Sequence, residues 1–335
     1  MMMLHTLRSR IDPFLAAIVA TVGLASLAPA RGEAAMAADW ATGAAVGLLF
    51  FLHGARLSPQ AALAGARHWR LHTMVFASTF VLFPLLGVMA HAAFPGLLTA
   101  PLWAGVILMT AAPSTVQASI AFTAVAGGNV PAAMCSASAS NLLGVFLTPL
   151  IAGLLLSSHG VDFSPRAVVT VVVQLLLPFV AGQLLRPWIG AFALRNARTL
   201  RIVDYGSILL IVYAAFSHGV VTGLWHQVDV GQLARLALVD AGLLATAIAT
   251  LTVLSRRLAF SRADEISIVF CGSKKSLASG LPIASVLFAG HPVGLIVLPL
   301  MLFHQIQLMV CSALAKRYAA SRAAHGEPVR QCAAA

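Results

Sequence analysis

The chain has few charged residues, and this shortage excludes a soluble globular domain. Only 9% of its 335 residues are Asp, Glu, Lys or Arg, whereas roughly a quarter of the residues in a soluble domain are charged. Hydrophobic residues make up 60% of the sequence and the mean hydropathy is +0.92. This composition predicts a membrane protein whose surroundings include the lipid bilayer.

The chain also lacks paired cysteines and any concentrated run of basic residues. Its four cysteines are scattered, with no CxxC pair and no histidine at a metal-ligand spacing, so the pattern indicates neither a disulfide framework nor a zinc site. The net charge of +11 is spread over many short loops. We therefore expect no nucleic-acid partner, and we interpret the excess positive charge as a signal for orientation in the membrane. The cysteines are Cys135, Cys271, Cys311 and Cys332.

Ten apolar runs approach or exceed the length of about 20 residues that a helix needs to cross a bilayer. The connections between them are short, and none is large enough for a second soluble domain. The sequence thus predicts an all-α polytopic membrane protein with ten transmembrane helices, here called spans 1 to 10. The spans cover approximately residues 13–30, 40–57, 71–94, 100–126, 129–156, 167–189, 200–223, 232–255, 265–289 and 292–315.

The distribution of Lys and Arg predicts the orientation of these spans. If the N-terminus lies in the cytoplasm, sixteen of the 21 basic residues fall in inside segments and only Arg31, Arg166 and Arg235 fall outside. Such a bias indicates that both termini are cytoplasmic, and we expect a multi-pass protein of the cell (inner) membrane. The remaining two basic residues are Lys274 and Lys275.

The first apolar run also resembles a secretory signal, because Arg8 and Arg10 precede it and Ala28-Pro29-Ala30 follows it. We interpret it as a retained span, since ten spans divide into two halves of five. An odd number of spans per half places the second half upside down relative to the first. The predicted halves are residues 10–156 and 166–317, followed by a short cytoplasmic tail at 318–335.

Short matching strings support this inverted repeat. F-F-L-H-G at 50–54 matches A-F-S-H-G at 215–219. A-P-S-T-V-Q-A-S at 112–119 interrupts span 4, and C-G-S-K-K-S-L-A-S at 271–279 interrupts span 9 at the equivalent position of the second half. Transporters with inverted repeats bind their substrates near the midplane, where broken helices meet. Pro113 and Gly272 are the predicted helix breakers. The alternative is a kink in each long helix, which proline often causes without a function.

Lys274 and Lys275 lie about ten residues after Glu265, which is roughly 15 Å along a helix. This is half of a hydrocarbon core about 30 Å thick. Each central lysine costs about 2.5–3.5 kcal/mol on insertion scales, so such residues usually face a cavity or a partner. We predict a functional site, and the alternative is a structural ion pair with Asp240 or Asp204.

Other polar residues of spans 4, 5 and 10 are candidates for the same cavity, although hydrogen bonding between helices is the commoner role of each. Ser140 and Gln307 belong to this wider group. The predicted substrate- or ion-binding residues are Pro113, Ser114, Thr115, Gln117, Ser119, Ser136, Ser138, Asn141, Gly272, Ser273, Lys274, Lys275, Ser276, His304 and Gln305. G-S-K-K-S lacks the glycine spacing of a phosphate-binding loop, and Ser-x-x-Lys spacing is absent, so we predict no enzyme.

Three segments resemble the bile acid:sodium symporter family, and specifically its SBF-like branch. They are P-S-T-V-Q-A-S with the later G-G-N-V at 127–130, S-I-V-F-C-G-S-K-K-S-L-A-S-G-L-P-I-A at 267–284, and L-P-L-M-L-F-H-Q-I-Q-L at 298–308. The resemblance covers about residues 10 to 317. It implies a panel domain of spans 1, 2, 6 and 7, a core domain of spans 3–5 and 8–10, and a substrate site where the broken spans 4 and 9 cross.

The resemblance also implies how sodium would bind. Sodium-coupled members hold Na⁺ with an acidic residue and a glutamine of span 9, and these positions fall on Phe270 and Lys274 here. Two sodium ions beside two lysines would repel each other strongly at low dielectric. We therefore expect a secondary active transporter of a small organic anion, a bile-acid-like molecule, carboxylate or sulfonate, that works by alternating access and does not necessarily use sodium.

Several alternatives remain open at this point. The lysines either replace the charge of the missing ions or bind the anion directly, and a buried lysine could also carry a proton as the coupling ion. A classical sodium-coupled symporter and a non-transporting regulator of calcium homeostasis are the other functions that the resemblance suggests.

Overall fold

The computed structural model describes residues 13–56, 68–157, 165–289 and 291–324. Arg8, Arg10, most of the predicted linker between the halves and Cys332 lie outside the described residues. Within the described part of the chain every regular element is helical.

Among the described residues, the first half of the chain contains seven α-helices and one π-helical turn. They are α1 (Pro13–Leu27), α2 (Glu33–Arg56), α3 (Trp69–Ala77), the π-helical turn (Ser78–Leu82), α4 (Phe83–Ala93), α5 (Ala100–Ala111), α6 (Gln117–Ala126) and α7 (Val130–Ser157). The described residues of the second half form another seven helices. They are α8 (Pro165–Arg195), α9 (Ala197–Val221), α10 (Leu224–Gln227), α11 (Val230–Arg257), α12 (Arg262–Gly272), α13 (Leu277–Leu287) and α14 (Val293–Ala324).

Seven helical segments among the described residues are long and apolar enough to cross a membrane, and three shorter apolar helices accompany them. The prediction of an all-α, multi-pass membrane protein is therefore confirmed. The count of ten spans and the inverted repeat stay predictions. The short apolar helices are Ala16–Leu27, Ala100–Ala111 and Gln117–Ala126.

The chain forms two compact units. The first combines the N-terminal residues up to Leu57 with residues 165–231 and 281–298. In it α2 and α8 pack with their backbones in contact. A Cβ atom on Gly54 would overlap the carbonyl of Phe179, and one on Gly182 would overlap the carbonyl of Phe51. Glycine is needed at both positions because only a residue without a side chain lets the two backbones approach so closely.

The second unit combines residues 58–164, 232–280 and the chain from Pro299 onward. Its apolar core includes Leu71 and Val75 of α3, Ala133 of α7, Leu251 of α11 and Val269 of α12. Both interrupted helices begin in this unit. The unit contains all of α5, α6 and α12, and it contains the first turn of α13. The panel and core domains implied by the resemblance stay a prediction.

Candidate functional site at the two helix interruptions

The first interruption separates α5 from α6. Ala112 is extended, with ψ 148°, as expected of a residue that precedes proline. Pro113 has no N–H group to continue the helix, and helical structure resumes at Gln117. The ring of Pro113 packs on Gly144 of α7, where a Cβ atom would come within 2.6 Å of the Cβ of Pro113. The unwound segment is thus held against a neighbouring helix.

The second interruption separates α12 from α13. Its amide groups reach the first interruption directly, because the backbone N–H of Ser276 donates to the carbonyl of Pro113 at 2.7 Å. Asn141 of α7 joins the two from one side: its Nδ2 donates to the carbonyl of Ser114 at 2.6 Å, and its Oδ1 accepts from the Ser279 hydroxyl at 2.6 Å. The two interruptions therefore form a single hydrogen-bonded cluster, which we call the crossing.

The last three carbonyl groups of α12 are bound by serine hydroxyls. A helix end leaves its final carbonyls without intrahelical partners. Here the hydroxyl of Ser119 donates to the carbonyl of Phe270 at 3.0 Å, and that of Ser114 to the carbonyl of Cys271 at 2.6 Å. The hydroxyl of Ser78 donates to the carbonyl of Gly272 at 2.8 Å. These carbonyls are occupied by protein donors.

Lys275 binds the carbonyls at the end of the other broken helix. Its ammonium Nζ donates to the carbonyls of Thr110 at 2.6 Å, Ala112 at 2.8 Å and Thr79 at 2.8 Å, and it lies 4.4 Å from the centre of the Phe83 ring. The side chain is fully buried. A neutral amine has only two N–H donors, so three carbonyl partners indicate the charged form with three.

The π-helical turn supplies one of these three carbonyls. In a regular α-helix the N–H of Phe83 would bind the carbonyl of Thr79, four residues earlier. Here it binds the carbonyl of Ser78, five residues earlier, which leaves the carbonyl of Thr79 free for Lys275. Single π-helical turns within α-helices are frequently found at functional sites.

Lys274 is held differently. Its Nζ donates to the carbonyl of Ala118 at 2.9 Å and lies 3.9 Å from the centre of the Phe122 ring and 5.4 Å from that of Phe270. Aromatic rings attract cations through the negative charge of their faces, and the attraction grows when the pair is removed from water. The Phe122 and Phe270 rings thus contribute to binding the ammonium group of Lys274.

The alternative of a structural ion pair is wrong for the described residues. Asp204 binds Arg56 at 2.5 Å in the first unit. Asp240 is fully buried in α11, but neither of its carboxyl oxygens has a hydrogen-bond partner among the described residues. Neither lysine forms a salt bridge within the described part of the chain.

The structure brings most of the predicted site residues together. Ser114, Ser119, Asn141, Lys274 and Lys275 form the contacts above. The hydroxyls of Thr115 and Ser119 hydrogen-bond at 3.0 Å, and the hydroxyl of Ser276 accepts from the N–H of Ser279 at 3.2 Å at the start of α13. Gln117 is exposed at the first position of α6.

Other predicted residues lie apart from the crossing. Ser136 hydrogen-bonds His72 at 2.6 Å, and neither Ser138 nor Gln305 makes a hydrogen bond to a described residue. Two other polar residues contact the crossing instead. Ser140 accepts a hydrogen bond from the N–H of Ser114 at 3.0 Å, and Gln307 binds the backbone of Lys275.

Gln307 binds the backbone of Lys275 on both sides. Its Oε1 accepts from the N–H of Lys275 at 2.8 Å and its Nε2 donates to the carbonyl at 2.9 Å. Nδ1 of His304 lies 2.9 Å from the same Nε2. Sequence reasoning named Ser140 and Gln307 only in the wider polar group and missed Ser78 and Thr79.

The residues present do not fit a sodium ion at this crossing. Carbonyl oxygens are suitable ligands for a hard cation, but those of Thr79, Thr110 and Ala112 already bind Lys275. The carbonyls at the end of α12 bind hydroxyl groups, and Phe270 provides no carboxylate. The arrangement places the amino groups of two lysines inside a buried cluster.

Comparisons with known proteins show the family of the chain. The sequence profile of the SBF-like CPA transporter family matches residues 12–320. An uncharacterized protein of Pseudomonas aeruginosa is 57% identical over 312 residues, covering 93% of this chain and 94% of that protein. A candidate symporter of Escherichia coli, YfeH, is 52% identical and covers 92% and 93% of the two chains.

A more distant relative is the mouse (Mus musculus) protein named sodium/bile acid cotransporter 7. It is 28% identical over 324 residues, which cover 92% of each chain. The Escherichia coli and mouse relatives are transport proteins by name, and this chain is likewise a membrane transport protein rather than an enzyme. It belongs to the SBF-like CPA transporter family.

Proposed function

We propose that the protein is a secondary active transporter of a small organic anion, a carboxylate or sulfonate, and that it works by alternating access without sodium. The observation that supports this most is the binding of the Lys275 ammonium group by three backbone carbonyls. In this proposal the two lysines supply the positive charge that bound sodium ions supply in the sodium-coupled members that the crossing resembles.

The burial of both ammonium groups favours replacement of ions over direct contact with substrate. Lys274 and Lys275 are fully buried, and protein groups surround both of them. Their charge therefore acts on an anion through the electric field. A unit charge about 8 Å away contributes roughly 2 kcal/mol at an effective dielectric constant of about 20.

The first turn of α6 is where we place the anion. Helix N-termini carry partial positive charge and backbone N–H groups that are not used within the helix. Gln117 at this position is exposed. An anion at this helix end would therefore meet N–H donors and the field of the lysines together.

The test is transport by the purified full-length protein in proteoliposomes. Labelled carboxylates and sulfonates are screened with sodium or choline outside, each with and without a pH gradient. We expect saturable uptake of at least one anion that is unchanged when choline replaces sodium. Uptake that requires a sodium gradient would make the protein a classical symporter, and ligand binding without flux would favour a regulator.

The chain has three lysines, which provide two variants at the crossing and one control. We expect uptake to be lost when Lys274→Ala and Lys275→Ala are combined, whereas Lys316→Ala on the exposed surface of α14 is the control. Undiminished uptake in the double variant would remove both lysines from the mechanism.

Chemical rescue tests the replacement of ions more directly. Lys275→Ala vacates the position between the three carbonyls, which a small cation would then fill. We expect millimolar ammonium or methylammonium to restore part of the uptake of this variant and to leave the wild-type rate unchanged. Loss of uptake without rescue by ammonium, methylammonium or sodium would contradict a charge-supplying role.

A further inference from the structure

A cavity of ≈ 470 Å³ lies in the second unit, at the opposite end of α6 and α12 from the crossing. Its walls come from the end of α6 at Gly127, the start of α12 at Arg262, and the last turns of α14 at Tyr318 and Arg322. Two arginines line it, and the described lining residues include no acidic residue. The cavity is therefore a basic pocket between helices.

One carboxylate beside the cavity is already shared between two arginines. Glu265 binds Arg262 at 2.7 Å and Arg256 at 3.2 Å, and it also accepts from the hydroxyl of Tyr318 at 3.3 Å. Arg322 forms no salt bridge or hydrogen bond with the described residues. The positive charge at the cavity therefore exceeds the negative charge that faces it.

Gly127 fixes the position of Arg322. It ends α6 with φ 78°, in the left-handed region that glycine adopts without strain. A Cβ atom at this position would overlap the guanidinium group of Arg322. The absence of a side chain at Gly127 thus leaves room for the guanidinium group at the wall of the cavity.

The cavity lies at the depth of lipid headgroups if the crossing is at the midplane. The eleven residues of α12 extend about 16 Å from Gly272 to Arg262, and half of the hydrocarbon core is about 15 Å. Basic pockets between transmembrane helices bind anionic headgroups, and guanidinium groups pair with phosphate through two parallel hydrogen bonds. We propose that this cavity binds the phosphate group of an anionic phospholipid, with Arg322 and Arg262 as its ligands.

A bound headgroup would connect three helices that end at the cavity. Two of them, α6 and α12, are the half-helices that supply Ser119 and the serine-bound carbonyls of the crossing. Occupancy would hold their outer ends in place. The proposal is independent of the transported substrate, and it makes the lipid a regulator of the crossing.

The experiment measures lipid binding to the full-length protein in a neutral detergent. The probes are dioctanoyl-phosphatidylglycerol, the zwitterionic dioctanoyl-phosphatidylcholine, and free glycerol 3-phosphate, titrated by calorimetry. We expect phosphatidylglycerol to bind at least about tenfold more tightly than either of the others. Arg322→Gln should weaken its binding about tenfold or more, since a hydrogen bond to a charged group is lost. Arg317→Gln, an exposed change of the same charge on the same helix, should not.

Two further variants test the same site if Arg322→Gln unfolds the protein. Arg322→Lys keeps the charge but lacks the planar fork, and Gly127→Ala keeps both arginines but displaces the guanidinium group. Both should weaken binding of phosphatidylglycerol. Equal binding of phosphatidylcholine, or an unchanged affinity in a folded Arg322 variant, would overturn the site. Equally tight binding of free glycerol 3-phosphate would overturn the assignment to a lipid.

Discussion

At the scale of single residues, Lys275 shows how a charge is accommodated without a carboxylate. Removing an ammonium group from water is costly unless hydrogen bonds and charge compensate for it. The three N–H donors of Lys275 meet three carbonyls that two helix irregularities have freed, and the Phe83 ring covers them. The charge and the irregularities therefore stabilise each other.

This mutual dependence predicts an order of stability for the lysine variants. Lys275→Met would leave three buried carbonyls unsatisfied, at about 1–3 kcal/mol each. Lys274→Met removes one hydrogen bond and the contacts with two rings, so its cost should be smaller. Thermal unfolding in detergent should rank Lys275→Met below Lys274→Met, with Lys316→Met equal to wild type. The same melting temperature for all three would show that the buried hydrogen bonds add no stability.

At the scale of the helices, the two interruptions could be predicted because their causes are local. Proline lacks an N–H group and favours an extended conformation of the preceding residue, so Pro113 is a local reason for the first break. It is not a sufficient one, because other prolines such as Pro149 lie inside helices. The π-helical turn has only a partial local signal, which is Pro84 directly after Phe83. It depends on the pairing of the Phe83 N–H with the Ser78 carbonyl and on Lys275, which is distant in sequence.

The choice among similar polar residues also required the structure. Ser136 and Ser140 lie one turn apart on the same side of α7, so the sequence predicts their face but not their depth. Only Ser140 reaches the crossing. Gln305 and Gln307 point to nearly opposite sides of α14, and the apolar pattern around them does not distinguish the two sides.

The close packing of α2 on α8 predicts the effect of adding one methyl group. Gly54→Ala would force the two backbones apart because its Cβ would meet the carbonyl of Phe179. Gly43→Ala on the same helix meets nothing within 4 Å. We expect a loss of a few kcal/mol for Gly54→Ala, as for other overpacked sites, and no loss for Gly43→Ala. Folded yield and melting temperature after purification measure the difference. Equal behaviour would contradict the close contact.

At the scale of the whole molecule, the distribution of basic residues predicts both termini on the cytoplasmic side. A green fluorescent protein fused after Ala335 should fluoresce in a bacterial host, since it folds in the cytoplasm. A cysteine placed at Gln227, the last residue of α10, should react with a membrane-impermeant maleimide from outside the cell. Reaction only after the membrane is opened would reverse the predicted orientation.

The attachment of the crossing's two cations to the chain has an electrical consequence. Sodium ions enter with a substrate and leave with it, but Lys274 and Lys275 return in every cycle, so the charge moved is that of the substrate alone. A membrane potential that is negative inside opposes inward movement of a monoanion by about 2.3 kcal/mol per 100 mV. In proteoliposomes, a valinomycin-generated potential of that sign should slow uptake and speed release. If no proton is cotransported, we expect such a carrier to export the anion or to exchange one anion for another.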